Sequence, residues 1–382
     1  MRDLNGGSMS RRRIEWVDDA KGLGVMLVLI LHSVFPEPMR AVASAFAMMF
    51  FFWLSGFVFS VKSYDSFREF LVRKIRTLMV PGIVCAWVVC FCKTLAVVCQ
   101  GTEFNFSFLV WNIFGVFINL RGNPMWSGVT WFLPCIFLIE LGAYPCMKYC
   151  ERTQDAYSEK YHVTRFIFVI ALLLIFGFIY GSFVHKALPW SADIAVEMAG
   201  FFCLGIACRR YGIFNSWSRW QICIPAFGAL VVSSLLNYFL FGGVNPYLTH
   251  YGELILYFIS AISGIVMSVG VVQILRKCFP HSFIIQLLNY CGKNSIIFYL
   301  VNVSTYAYIP TLMSFIGLNV YDEKNSTITL SSVGNGLGYL CDDVRLLIAG
   351  GFLTLVIDFC VCAILSEYIN KVCPSLLGKN RK

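Results

Sequence analysis

The sequence predicts an all-α protein: a polytopic transmembrane helical bundle of about ten spans, with the N- and C-termini cytoplasmic. Three observations carry that prediction. Hydrophobic residues make up 58% of the chain and charged residues only 13%, about half the charge of an ordinary soluble domain. Apolar runs of the length a bilayer needs, about 20 residues, recur from end to end, and mean hydropathy is +0.72. Lys and Arg gather in alternate connections: Arg11 to Arg13, Arg68 to Arg76, Lys148 to Arg165, Arg209 to Arg219, Arg276 to Lys293 and Lys371 to Lys382. The intervening connections hold only Arg40, Arg121, Lys186, Lys324 and Arg345. Retention of positive loops on the cytoplasmic side explains that alternation, and with it the net charge of +9, without a nucleic-acid partner.

Three regions follow: a cytoplasmic segment over 1–19, a membrane domain over 20–370 and a basic cytoplasmic tail over 371–382. Span one runs from Ala20 to Phe35 and stops at Pro36 and Pro38. Span two, Val42 to Val61, contains Phe50-Phe51-Phe52-Trp53-Leu54-Ser55-Gly56-Phe57. Its Ser55-Gly56 pair is a small patch where a backbone or ligand can approach closely. Ser63 to Arg76 alternates apolar and basic residues at helical spacing and is expected at the inner interface. Span three covers Leu78 to Val98. Gly101 to Gly128 is a long connection with an apolar piece, Phe106 to Leu120. Span four begins at Trp131 and ends near Met147. Span five is Phe166 to Phe183. Span six is introduced by Leu188 to Asp193 and ends at Arg209-Arg210. Span seven is Ile222 to Phe241. Asn245 to Glu253 forms a short outer loop before span eight, Leu254 to Leu275. Span nine starts at Gly292, and span ten covers Leu346 to Leu365. An N-terminal signal peptide fits poorly, because Asp18, Asp19 and Lys21 interrupt its expected layout. The sixteen cysteines include many inside apolar runs, where they act as small hydrophobes. No Cys/His set has zinc-site spacing, and no metal is expected.

One side chain organises the functional reading. His32 is a titratable group deep in span one, and such groups are functional candidates by default. Lys21 lies eleven residues earlier, within about 20° of the same helical face and about 16 Å away along the axis. Asp18 falls near that stripe as a supporting residue. A cation at the membrane edge below an imidazole suits a long substrate, charged at one end and reactive at the other. Against this, polar side chains also glue helices together, and Lys21 and Asp18 are ordinary interfacial anchors when taken alone.

The sequence resembles the acyltransferase-3 family of integral membrane acyltransferases, particularly its fucose 4-O-acetylase-like branch. Lys21 and His32 match the family's basic residue, ten intervening residues, then histidine. Further matches are Trp16-Val17-Asp18-x-x-Lys21-Gly22, Phe51-Phe52-Trp53-Leu54-Ser55-Gly56, Arg73 and Arg76 ahead of Pro81, Trp131-Phe132-Leu133, Leu188-Pro189-Trp190, and Gly292-Lys293-Asn294-Ser295. In one place the chain departs from the pattern: relatives often carry a histidine soon after the last segment, and here the position holds Asn302. An amide does not shuttle protons, so span nine is left out of the proton chemistry.

The resemblance implies acyl transfer, usually of acetyl, from cytoplasmic acetyl-CoA to a hydroxyl of a cell-surface or lipid-linked glycan, such as an exopolysaccharide of the cell envelope, by an integral protein of the inner membrane. Arg73 and Arg76, three residues apart, suit the phosphates of the donor; ordinary positive-inside charge is the alternative explanation. His32 is the expected general base, with a covalent acetyl-histidine left open. Trp131 is a candidate for stacking on a sugar, or an interfacial anchor. Asp193, Asn245 and Glu253 are candidates for acceptor hydroxyls. Glu140 and Asp358 are expected to face the interior. A transporter or flippase of a glycan or lipid-linked intermediate is the competing class, weakened by the missing repeat symmetry; a non-catalytic membrane scaffold is a third.

Overall fold

The computed structural model describes residues 14–99, 106–118, 120–121, 130–152, 159–184, 186–302, 320–321, 338–339 and 344–374. The Arg11 to Arg13 cluster, Lys324, His185 and the tail beyond 374 lie outside them. Among the described residues the regular structure is helical, apart from a two-residue antiparallel pairing of Val320 with Tyr339 and Tyr321 with Gly338 and a single antiparallel bridge between Asn245 and His250. The helices are α1 (Glu15–His32), α2 (Glu37–Ser44), α3 (Ala47–Val58), α4 (Phe67–Lys74), α5 (Val80–Cys99), α6 (Phe106–Ile118), α7 (Phe132–Arg152), α8 (Glu159–Phe183), α9 (Ala192–Tyr211), α10 (Trp220–Phe241), α11 (Leu254–Cys278), α12 (Phe283–Lys293), α13 (Ser295–Asn302) and α14 (Val344–Val372).

Among the described residues, seven helical stretches are long and apolar enough to cross a membrane: Glu37–Val58, Phe67–Phe91, Thr164–Phe183, Pro189–Tyr211, Trp220–Phe241, Leu254–Cys278 and Val344–Val372. They sort into layers by burial. The windows in Glu37–Val58 and Pro189–Tyr211 are 67% and 72% buried, whereas that in Thr164–Phe183 is 11% buried. So α3 and α9 are inner helices, and α8 lies on the outside. The aromatic run of α3 makes the core: Phe50, Phe52, Trp53 and Phe57 are buried with Phe201 and Phe202 of α9 and Tyr257 of α11.

At two helix crossings, α3–α9 and α1–α12, glycines on both helices permit approach to backbone contact. A Cβ on Gly56 would lie 1.9 Å from the carbonyl oxygen of Phe202, and one on Gly205 would lie 2.1 Å from that of Trp53. This is the close approach expected of the Ser55-Gly56 patch. The second pair joins α1 to α12: Cβ atoms on Gly22 and Gly292 would fall 1.9 Å from Leu288 O and 1.7 Å from Asp18 O. The two glycines of the Lys21-Gly22 and Gly292-Lys293 motifs therefore meet the same crossing from opposite helices.

The expected interfacial helix over Ser63 to Arg76 and the separate span starting at Leu78 are one continuous rod. Ser66 caps α4 by accepting from Glu69 N. The helix then passes through a wide turn over Ile75–Met79, closed by a bond from Val80 N to Ile75 O, straight into α5. Pro81 explains the wide turn. Its ring crowds the carbonyl four residues back in a normal helix, and a five-residue turn just ahead of it relieves that contact.

Helix α1 is the hub, touching α2, α3, α11, α12, α13 and α14. Its N-terminal end shares a side of the bundle with the C-terminal ends of α3, α9, α11 and α14. Trp16 packs on Phe57 and Phe214, Arg209 donates to Phe57 O at 3.1 Å, Arg276 pairs with Glu15 and Asp19, and Asn370 bonds Asn294 at 2.9 Å. The opposite end holds His32, the starts of α7 and α9, and the 242–253 connection. Among the described residues, the basic ends at Arg209 and Arg276 thus lie with the start of α1 at one end.

Candidate active site

His32 closes α1, and the chain leaves it under restraint. Ser33 donates to Leu29 O at 2.6 Å, and Val34 N donates to Thr354 Oγ1 of α14 at 3.3 Å. The imidazole is half-buried, and its Nδ1 lies 2.6 Å from Asn302 Oδ1 on α13. With the amide oxygen of Asn302 facing the ring, that oxygen accepts, and in this arrangement Nδ1 carries the hydrogen and the basic lone pair falls on Nε2. Asn302 is 1% exposed, so packing holds its amide where it stands. Sequence reasoning set this residue aside because it cannot carry a proton. The structure makes it the hydrogen-bond partner of the ring.

Lys21 is half-buried and Asp18 buried, both in the first half of α1 beside the α12 crossing. On the stripe between Lys21 and His32, Val25 belongs to a buried apolar cluster with Leu29, Cys291, Phe298 and Cys362. The neighbouring Asp19, fully buried, is held by Arg276 and by Asn289 Nδ2 at 2.8 Å. Burial pushes its carboxyl above the usual carboxylate range, against the lowering influence of Asn289. No sequence signal separated Asp19 from Asp18.

Arg73 and Arg76 are exposed, and the Arg73 guanidinium lies 5.7 Å from the centre of the Tyr64 ring. The wide turn begins between the two arginines, so they do not keep the spacing of a regular helical face. Lys74, between them, reaches inward to Glu140 of α7 at 2.7 Å.

The outer end of the bundle carries a second cluster. Arg121 Nη1 donates to Tyr247 O at 2.9 Å, its guanidinium lies 5.9 Å from the Tyr247 ring, and Nη2 pairs with Asp193. Asp193 also accepts from Leu188 N at 3.2 Å, so both its oxygens are engaged. Trp131 lies 6.3 Å from Tyr247 and 6.1 Å from Phe132, ring to ring, and Phe132 lies 5.3 Å from Tyr299. Tyr299 is three residues before Asn302 and so on an adjacent face of α13. A run of contacts therefore links the His32–Asn302 pair to Arg121 and Asp193. Arg121, Tyr247 and Tyr299 were not selected from the sequence; Arg121 was visible only as one of the few cations outside the basic connections.

Asn245 and Glu253 are spent locally. Asn245 Oδ1 accepts from Leu248 N at 3.4 Å, and Glu253 caps α11 by accepting from Leu256 N at 2.8 Å. Ser55 is half-buried one residue before the α3–α9 contact. Among the described residues, no three of His, Cys, Asp and Glu gather in a way that could hold a metal.

Over residues 14–358 the chain matches the model of the acyltransferase-3 family, an acyltransferase domain. The chain belongs to the acyltransferase-3 family. No curated protein and no solved structure matches it. The matched stretch runs from the start of α1 into α14 and includes every residue of the two clusters above. An acyltransferase-3 protein with several membrane-crossing helices is a multi-pass membrane acyltransferase, and the hydrogen-bonded His32 lies within its matched domain.

Proposed function

We propose that this protein is an O-acetyltransferase that moves acetyl from cytoplasmic acetyl-CoA to a hydroxyl of a cell-surface or lipid-linked glycan, as in the fucose 4-O-acetylase-like branch. The His32–Asn302 bond is the single observation that carries the reading. With Nδ1–H committed to the amide oxygen, Nε2 takes the proton of the acceptor hydroxyl as that oxygen attacks the thioester carbonyl. Collapse of the tetrahedral adduct breaks the C–S bond, and the departing thiolate recovers the proton from the imidazolium. The chain supplies positioning and one proton site.

In this reading the basic end of the bundle is cytoplasmic, in the inner membrane, where Lys21, Arg73 and Arg76 meet the anionic donor. The acceptor comes from the opposite end, past Trp131 and the Arg121–Asp193 pair. Because the Arg121 charge is matched by Asp193, that entrance suits a neutral, hydroxyl-rich sugar rather than an anionic one. Asn245 and Glu253 shape the rim through their caps. Family membership supports transfer chemistry over the carrier alternative. Mass spectrometry of cell-envelope glycans with and without the protein tests the proposal: loss of an acetyl group is expected, and unchanged acetylation in every glycan fraction would reject it.

A further inference from the structure

Helices α4 and α7 run antiparallel, with Lys74 bound to Glu140 at one point and Phe67 against Tyr144, 5.5 Å ring to ring, at another. Beside the second contact lies a cleft of about 300 Å³ lined by Phe67, Tyr144, Pro145, Lys148 and Tyr149. It lies toward the C-terminal end of α7, away from Trp131 and the Arg121 cluster.

Three features of the cleft point to a ligand. Cations surround it: Lys148 lines it, with Nζ 5.6 Å from the centre of the Tyr144 ring; Arg165 sits 5.6 Å from the centre of the Tyr149 ring; and Arg73 lies one ring further out, over Tyr64, whose ring is 6.3 Å from that of Tyr144. Among the described residues none of these three cations pairs with a carboxylate. Glu140 is taken by Lys74, and the Glu69 carboxylate is turned back to accept from Asp65 N at 2.8 Å. Two large rings are open at the lips, Phe67 at 47% and Tyr149 at 54% exposure. In the floor, Tyr144 is 2% exposed and its buried hydroxyl has no hydrogen-bond partner.

Exposed rings bind a flat heteroaromatic base, and cations seated on rings bind phosphate. The volume is at the small end of ligand clefts, roughly 300–1,000 Å³, so it suits one end of a long molecule. We propose that this cleft binds the phosphorylated adenosine end of the coenzyme A donor. The base lies between Phe67 and Tyr149, the phosphates face Lys148 and Arg73, and the Tyr144 hydroxyl bonds the nucleoside. The proposal rests on the acetyl-CoA reading above and adds Lys148, Tyr149 and Tyr144 to the donor contacts. The geometry also explains why a long arm is needed: from Lys148 back to Phe132, which touches Tyr299, α7 covers about 24 Å.

The test uses the purified full-length protein in zwitterionic nanodiscs, with adenosine 3′,5′-bisphosphate and coenzyme A as probes. Variants Lys148→Gln and Tyr149→Leu are compared with Gly142→Ala on the same helix, where an added Cβ meets nothing within 4 Å. Losing a charge-assisted phosphate contact is expected to weaken binding of both probes, and to raise KM for acetyl-CoA, by about tenfold, with kcat at saturating donor little changed and Gly142→Ala like wild type. Coenzyme A bound equally well by both variants would overturn the site while leaving the acetyl-CoA reading intact. Failure of the bisphosphate to bind wild type, together with Lys148-dependent binding to phosphatidylglycerol vesicles, would overturn it in favour of a lipid headgroup. Wild-type protein that neither binds coenzyme A nor transfers acetyl would remove the donor reading itself.

Discussion

His32 and Asn302 stand 270 residues apart in sequence, yet their Nδ1 and Oδ1 atoms are 2.6 Å apart. The bond joins α1 to α13 and leaves Nε2 as the basic nitrogen. Replacing Asn302 by Ala frees the ring to rotate and to change tautomer. General-base contributions run to about 10²–10⁴-fold, and loss of orientation alone should cost a part of that, about 10- to 100-fold in kcat. Asn302→Asp keeps an acceptor and should retain more activity than Asn302→Ala. Steady-state kinetics on both variants checks the order.

Gly292→Ala tests the α1–α12 crossing. The added Cβ would fall 1.7 Å from the Asp18 carbonyl oxygen, a backbone atom that moves only with its helix. Overpacking of this kind costs about 1–3 kcal/mol or more, so the melting temperature in detergent should drop clearly. Gly142→Ala, with open space around it, should hold or raise it by removing a helix-interior glycine.

The Lys74–Glu140 pair predicts non-additivity. Lys74→Ala strands a carboxylate that is 7% exposed, and breaking a buried pair costs about 3–5 kcal/mol. Replacing both residues, Lys74→Met with Glu140→Leu, should cost much less than the sum of the two single changes. Thermal unfolding of the three variants measures the coupling.

Arg121→Lys is not a mild change. The guanidinium serves Asp193, the Tyr247 carbonyl and the Tyr247 ring at once, and an ammonium lacks the planar fork that does so. The expected outcome is a higher KM for the glycan acceptor with the KM for acetyl-CoA unchanged, read from two-substrate kinetics.

Much of the architecture was legible because helical periodicity and charge alternation are local signals. The spans of α9 to α11 start and stop within a few residues of the expected places, and α8 ends at the expected Phe183 while starting seven residues early at Glu159, since Gly, Pro and basic pairs mark the ends that agree. The continuous rod through Ile75–Met79 was not legible, because a wide turn changes hydrogen-bond partners without changing residue types. The site divides in the same way. A histidine inside an apolar run announces itself. Asn302 does not, because its importance comes from a contact across 270 positions and from hydrogen bonding rather than titration. Asp19 was hidden for a related reason: of two adjacent acids, only the packing of α1 against α11 and α12 tells which one meets Arg276.

The most direct test of the account is single-turnover transfer of labelled acetyl from acetyl-CoA to acceptor glycan by the purified protein with His32 replaced by Gln. The account predicts a loss of at least about 10²-fold in a variant that melts within a few degrees of wild type. Transfer at near wild-type rate by that folded variant would contradict the assignment of His32 as the base.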